Sequence, residues 1–288
     1  MKKLKFLPQD KYVKFYYEYY SGRKLDYNNP IDFNDKLSWY KVFYRKPILN
    51  QLVDKYAVRS YVKDKIGEEY LNDLIAVYDK ASEVNFEKLP EKFVIKGTHG
   101  FHFNLIVKDK STLNKSKAKF LFIKWLSKNQ YYRGGMEWAY KNVKPRLIAE
   151  KFLEEEGKSV LNDYKFFCFE GKPKFVQVDI ERGNGDYRCY YDLEWNKMDL
   201  ITEVNNFYKG EIEKPENFEE MLLLSEKLAD DFPFVRVDLY SVNGKTIFGE
   251  MTFYPTDARK RFIPEEMNIT IGNYFVLPKI PKDQKYIK

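Results

Sequence analysis

The chain has 288 residues, 50 Lys+Arg against 43 Asp+Glu, a formal charge of +7, 44% hydrophobic residues and 18% aromatic. At roughly 100–200 residues per domain this allows one large unit or two packed domains with a substantial core, and such aromatic content excludes a disordered chain. No apolar run reaches the ~18–20 residues of a membrane span, and Met1–Leu7 meets Pro8 before a signal-peptide core develops, so the expected compartment is the cytoplasm. The positive charge is dispersed, which suits small anionic ligands and does not call for nucleic acid. Cys168 and Cys189 each lie in a strand-like run and read as reduced and buried, not as a disulfide or a metal site.

In chain order, Tyr12–Tyr20 is an aromatic helix ended by Ser21-Gly22, and Asn28-Asn29-Pro30 is a turn. The helical spacing of Tyr16-Tyr17-Glu18-Tyr19-Tyr20 reads as core packing, with sugar stacking as the alternative. Asn34 is expected to cap a helix through Tyr40, and Asp54 a helix running to Lys65, with Val58, Val62 and Ile66 on one face and Gly67 at the stop. Lys55, Arg59 and Lys63 share a second face of that helix. Like charges four apart disfavour a helix by roughly 0.2–0.5 kcal/mol per pair, so these three form either a solvated face or a set of cations around a common anion.

Leu74–Tyr78, Phe93–Lys96 and Leu105–Lys108 are expected strands. Gly97-Thr98-His99-Gly100 therefore joins two strands, unlike a P-loop, whose glycines open into a helix. Ser116–Lys128 reads as an amphipathic helix and Gln130–Gly135 as a loop. From Arg146 the pattern turns to strands, at Arg146–Phe152, Asp163–Phe169, Lys174–Asp179, Tyr187–Tyr191, Phe234–Tyr240 and Thr246–Phe253. Turn signals fall at Glu170-Gly171 and Asn243-Gly244, and one helix, Asn217–Ala229, intervenes. The fold class is α+β.

The last hairpin carries the most chemistry. Val235, Val237 and Leu239 alternate with Arg236, Asp238 and Tyr240, and Ile247, Gly249, Met251 and Phe253 alternate with Phe248, Glu250 and Thr252. A two-residue Asn-Gly turn would put Asp238 and Glu250 on opposite faces. A three-residue Val242-Asn243-Gly244 loop matches the apolar faces, pairs Arg236 with Glu250, and leaves Asp238 and Glu250 diagonal neighbours on one face. Two such carboxylates repel unless a cation or proton lies between them, and oxygen ligands suit Mg2+. The alternative is a structural salt bridge between Glu250 and Arg236.

Taken together, Asp54-Lys55-Tyr56 with Arg59 and Tyr61-Val62, Phe93-Val94-Ile95-Lys96 with His99-Gly100, Asp163-Tyr164-Lys165, Val235-Arg236-Val237-Asp238-Leu239-Tyr240 and Phe248-Gly249-Glu250-Met251-Thr252-Phe253 resemble the TupA-like ATP-grasp family. That family is found in teichuronopeptide and capsular polysaccharide gene sets, and the resemblance covers about residues 25–275. It implies an ATP-grasp fold, two α+β subdomains clasping ATP behind a helical N-terminal region, divided as 1–75, 76–150 with the Gly-rich loop, and 151–288 with the hairpin.

The resemblance also implies ATP and Mg2+. Lys96 would face the α- and β-phosphates beneath Gly97, Thr98, His99 and Gly100, and Arg59 would stand where many ATP-grasp enzymes have a nucleotide-binding lysine. Glu150 and the backbone of Lys151, Phe152 and Leu153 would read adenine, and one of Glu154, Glu155 or Glu156 would hold the ribose. Asp238, Glu250 and Thr252 would hold Mg2+. Arg236, at the γ-phosphate or an acyl phosphate, and Lys165, a further phosphate contact, would be the catalytic cations.

The implied reaction is attack of a carboxylate on the γ-phosphate, giving an acyl phosphate that an amine captures as an amide. Its implied substrates are a small-molecule or sugar-linked carboxylate and an amine such as an amino acid, for example an amino acid joined to a uronic acid of a cell-surface polysaccharide precursor. A glycosyltransferase or sugar kinase of capsule biosynthesis is the alternative, and a non-catalytic glycan-binding module a third. Two departures stand out. Thr252 occupies a place where many ATP-grasp sites have Asn, and still offers one oxygen. The Gly-rich loop holds Phe101, Phe103 and both histidines, His99 and His102, which read either as structural or as phosphate or substrate contacts; no further Cys or His is at hand for zinc. The lysine-rich tail Lys279–Lys288 reads as solvated, with weak peripheral membrane contact as the alternative.

Overall fold

A computed structural model describes residues 4–155, 160–180, 187–202 and 206–288. Its helices are α1 (Gln9–Ser21), α2 (Phe33–Phe43), α3 (Ile48–Leu52), α4 (Val58–Lys65), α5 (Lys115–Leu126), α6 (Gln130–Arg133), α7 (Phe218–Ala229) and α8 (Met267–Tyr274). Its strands are β1 (Leu74–Tyr78), β2 (Phe93–Gly97), β3 (Asn104–Val107), β4 (Leu147–Lys151), β5 (Asp163–Phe169), β6 (Lys172–Ile180), β7 (Tyr187–Tyr191), β8 (Ile201–Thr202), β9 (Asn206–Phe207), β10 (Phe234–Val242), β11 (Lys245–Thr252) and β12 (Phe262–Ile263). Two compact units result: a continuous one, Pro47–Leu153, and a discontinuous one, Met1–Lys46 with Glu154–Lys288. The first two helices thus fold with the C-terminal half, and the divisions fall at 46/47 and 153/154 where the sequence suggested 75 and 150.

In the continuous unit an antiparallel sheet of order β1-β4-β2-β3 is backed by α5. Phe93 and Ile95 of β2, Leu147 and Ala149 of β4, and Phe122 and Trp125 of α5 share one core, which turns Val94 and Lys96 to the opposite face by the period of two. Asn114 caps α5, its side chain accepting from the Lys117 N–H. Asp54 caps as expected, its Oδ1 accepting the N–H groups of Tyr56 and Ala57 and its carbonyl the Val58 N–H, but the regular helix α4 begins only at Val58, one turn later than expected.

The discontinuous unit has a six-stranded sheet of order β11-β10-β5-β6-β7-β9, antiparallel except for the β7–β9 pair. Phe166 and Cys168 of β5 face α7, Phe166 packing on Phe218 and the Cys168 thiol lying 3.9 Å from the Ser225 carbonyl. On the other face Phe169 and Phe234 meet Phe33 of α2 and Phe275, with ring centroids 5.0–6.2 Å apart. Burying each such ring contributes about 1.5–3 kcal/mol, which anchors one end of that face. Farther along the same strands the same face changes to Asp163, Lys165, Arg236 and Asp238. The helix α2 begins at Asp32, not at Asn34, because Asp32 and Asp35 form a reciprocal capping box, while Asn34 donates to the Lys260 carbonyl at 2.8 Å. Both cysteines are free and buried, and burial pushes the Cys189 thiol up to about 12. Among the described residues no helix is long and apolar enough to cross a membrane.

Candidate functional site

The β10–β11 hairpin differs from its expected register. Val242 pairs with Lys245, so the turn is the two-residue Asn243-Gly244, with φ of 51° and 74° as the tight hairpin turn requires. The faces are brought back into phase by a bulge: Leu239 pairs with Phe248 but Asp238 with Glu250, leaving Gly249 as the extra residue. Asp238 and Glu250 are therefore direct cross-strand partners, and Arg236 lies opposite Thr252. A Cβ on residue 249 would stand 2.9 Å from the Asp238 carbonyl oxygen, which is why glycine occupies the bulge.

Across the sheet this face carries a stripe of charge. Arg236 grips Asp238 through two hydrogen bonds of 2.7 Å, and Lys165 donates to Asp238 Oδ2 at 2.8 Å and to Asp163. Asp179 lies 3.8 Å from the Lys165 ammonium and pairs bidentately with Arg188 at 2.6 and 3.1 Å. Glu250 Oε1 is 3.8 Å from Arg236 and 3.4 Å from the Thr252 hydroxyl. Three cations thus face four carboxylates. Burial alone would lower the Lys165 pKa, but attraction by Asp163 and Asp238 raises it above its usual value. Burial works against an ionised Asp179 as well, yet Lys165 and Arg188 hold its carboxyl down at about 2.

Predicted residues Lys165, Arg236, Asp238, Glu250 and Thr252 are all brought together here. Sequence reading missed Asp163 as a partner, Asp179 and Arg188. The available signal was parity: Asp163 is two residues from Lys165, and Asp179 pairs with Asp163 across the β5–β6 hairpin.

Mg2+ takes hard oxygen ligands and is usually bound through one or two carboxylates plus substrate phosphates. The Asp238 oxygens accept three charge-assisted bonds, leaving one acceptor position of about four. Glu250, with its side chain 37% exposed, is the more accessible of the two carboxylates. Among the described residues no group of three His, Cys, Asp or Glu is arranged as a protein-only metal cage. The residues fit a metal bound jointly with phosphate.

The continuous unit assembles a second set. Lys96 Nζ lies 2.6 Å from Glu150 Oε2, and Arg59 Nη1 is 3.6 Å from Glu150 Oε1 while its Nη2 donates to the Asn72 carbonyl at 2.9 Å. Lys96 and Glu150 share the sheet face away from α5, since Glu150 pairs with Val94. Lys63 is answered separately, by Glu68, so the cationic helix face splits between carboxylates and does not converge on one anion.

The Gly-rich segment is packed tightly. Thr98 and His99 are buried, the His99 ring stacks near Phe103 and its Nε2 is 3.0 Å from the Trp125 carbonyl, and burial lowers its pKa. A Cβ at Gly97 would stand 2.8 Å from Phe103 and one at Gly100 2.8 Å from Gln130, so both glycines answer to local packing. Gly97, Thr98, His99 and Gly100 are all buried, backbone included, and of the two histidines of the loop His102 is the exposed one.

In the segment that the resemblance assigns to adenine, the Lys151 N–H bonds to the Asp73 carbonyl and the Lys151 carbonyl accepts from Asn72, at 3.0 and 2.9 Å. The backbone polar groups of Phe152 and Leu153 have no hydrogen-bond partner among the described residues and fit an adenine edge. Glu154 and Glu155 follow at the start of the next unit, and Glu156 lies outside the described residues.

Among curated proteins none matches the chain. Similar solved structures include D-alanine–D-alanine ligase from Bacillus anthracis complexed with ATP, at 16% identity and TM-score 0.43, over 72% of this chain and 55% of that one. The D-alanine–D-alanine ligase of Helicobacter pylori matches at 14% identity and TM-score 0.44, over 80% and 60%. Phosphoribosylamine–glycine ligase from Thermotoga maritima matches at 13% and 0.40, over 73% and 50%. The chain thus spans 50–60% of the length of these ligases. The family model described as TupA-like ATPgrasp matches residues 35–276, which takes in α4, the four- and six-stranded sheets and the bulged hairpin. The chain belongs to the TupA-like ATP-grasp family and has the α+β ATP-grasp fold of that family.

Proposed function

We propose that this protein is an ATP- and Mg2+-dependent carboxylate–amine ligase. The observation that carries the reading is the convergence of Lys165, Arg236, Asp238 and Glu250 on one sheet face, supported by family membership. When bound, Mg2+ would neutralise phosphate charge, for which Glu250, the remaining acceptor of Asp238 and the Thr252 hydroxyl are the candidate ligands. Arg236, its planar guanidinium held in place by two bonds to Asp238, would present its remaining donors to the transferring phosphoryl group. Lys165, kept protonated by Asp163 and Asp238, supplies a fixed positive charge to the same oxygens.

In the continuous unit, Lys96 and Arg59 would contact the α- and β-phosphates, and Phe152, Leu153 and Glu150 the base. A buried Glu150 already ion-paired with two cations would position those cations as much as read adenine. The reaction joins a carboxylate, activated as its acyl phosphate, to an amine. Its proposed substrates are a uronic acid of a cell-surface polysaccharide precursor and an amino acid, and it would run in the cytoplasm, where ATP is supplied. Thermal melting with ATP, ADP, GTP and a UDP-sugar, each with and without Mg2+, tests the reading. A ligand bound to the folded state raises Tm by mass action, so Mg2+-dependent stabilisation by ATP is expected; stabilisation by the UDP-sugar and not by ATP would replace ligase with glycosyltransferase.

A further inference from the structure

Every other described arginine donates at least one side-chain hydrogen bond. Arg259 donates none among the described residues, and its Nε is shielded from solvent. The carboxylate beside it is already committed. Asp257 Oδ2, 3.9 Å from Arg259, accepts the Tyr16 hydroxyl at 2.7 Å, and the Asp257 Oδ1 and carbonyl take the buried Lys41 ammonium at 2.5 and 3.0 Å. Lys41 therefore neutralises Asp257 and the charge of Arg259 is left over. Its guanidinium lies over the rings of Tyr20 and Tyr16, 5.2 and 5.9 Å from their centroids, with Tyr20 47% exposed.

The backbone presenting Arg259 is strained. Thr256, Asp257 and Ala258 have φ of 52°, 59° and 57°, three successive non-glycine residues in the left-handed region. Each costs of order 1–2 kcal/mol and persists only where the surroundings over-determine it, as Lys41 and Tyr16 do by fixing Asp257. This turn, Pro255–Ala258, begins three residues after Thr252 of the candidate metal hairpin. Strain so placed is common at ligand sites, and Arg259 adds to it side-chain donors that are unused among the described residues.

We propose that Arg259 and Tyr20 bind the anionic group of a ring-shaped substrate, a carboxylate or phosphate on the guanidinium fork with the C–H face of the ring on Tyr20. The planar fork matches either anion bidentately, and the aromatic face takes apolar C–H groups. The proposal rests on the ligase reading only in calling this ligand the substrate.

Calorimetry on the full chain with a hexuronic acid, a hexose 1-phosphate and the uncharged hexose tests it, alongside MgATP titrations and melting of Arg259→Gln and Tyr20→Leu. At least one anionic probe binds the wild type and the hexose does not. Arg259→Gln weakens that binding about tenfold or more, Tyr20→Leu weakens it less, and MgATP affinity and Tm are unchanged. Binding of the acid alone identifies a carboxylate ligand, and of the phosphate alone a phosphorylated sugar. Absence of both from the wild type, equal binding by Arg259→Gln, or a parallel loss of MgATP affinity overturns it. Arg259-dependent binding without any MgATP binding keeps the site and removes the ligase reading instead.

Discussion

Asp238 and Glu250 face each other directly across the β10–β11 hairpin, and a single residue, Gly249, sets that relationship. Without the bulge a two-residue turn places the two carboxylates on opposite faces of the sheet.

Gly249→Ala is therefore expected to cost about 1–3 kcal/mol, as overpacking does, because the new Cβ meets the Asp238 carbonyl at 2.9 Å and the Tyr240 ring at 3.1 Å. Urea denaturation gives the cost. The same variant should lose the Mg2+-dependent part of its stabilisation by ATP, since relief of the contact shifts Glu250 away from Asp238.

Lys165→Met leaves Asp163 and Asp238 buried with less countercharge. Removing one partner of a buried ionic group costs about 3–5 kcal/mol, so a large fall in the urea midpoint is expected. Lys165→Arg, which keeps the charge, should recover part of it; equal stability of Lys165→Met and wild type would remove Lys165 from the network.

The longer strands of both units were legible because alternation and turn residues act locally: β5 and β7 begin and end where the apolar pattern does, whereas the two-residue β8, β9 and β12 carry too little pattern to read. The short α3, α6 and α8 carry no clear periodicity and form only against their surroundings. The positions of Lys96, Lys165 and Asp238 on strands were legible for the same reason. The direct Asp238–Glu250 pairing was not, because a bulge changes register without altering composition. Arg188 and Asp179 were invisible singly, as their meaning lies in cross-strand pairing.

Acid should act through Asp179. Its carboxyl titrates at about 2 in the folded protein, below its ordinary value of 3.8. The ionised form is thus favoured by folding, and its contribution of about 2 kcal/mol is present above pH 4 and lost as the pH falls toward 2. Asp179→Asn should lack that portion of the pH dependence when unfolding free energy is followed from pH 6 to 2. A wild-type slope in the variant would assign acid sensitivity elsewhere.

Lys96 is partly exposed and its partner Glu150 retains Arg59. Lys96→Gln should shift apo stability by no more than about 0.5 kcal/mol while weakening ATP binding about tenfold, the loss of one charge-assisted contact to phosphate. Calorimetric titration with ATP and Mg2+ separates the two effects, and unaltered affinity would take Lys96 off the nucleotide.

The central claim is tested most directly by phosphorus NMR of the products formed from ATP, Mg2+, a panel of uronic acids and amino acids, by wild type and Glu250→Gln. Glu250 is exposed enough for its variant to fold normally. The account predicts ADP and phosphate in equal amounts, dependent on both carboxylate and amine, and abolished in Glu250→Gln. Turnover undiminished in that variant, or a nucleoside diphosphate released only from a sugar donor with ATP untouched, would contradict it.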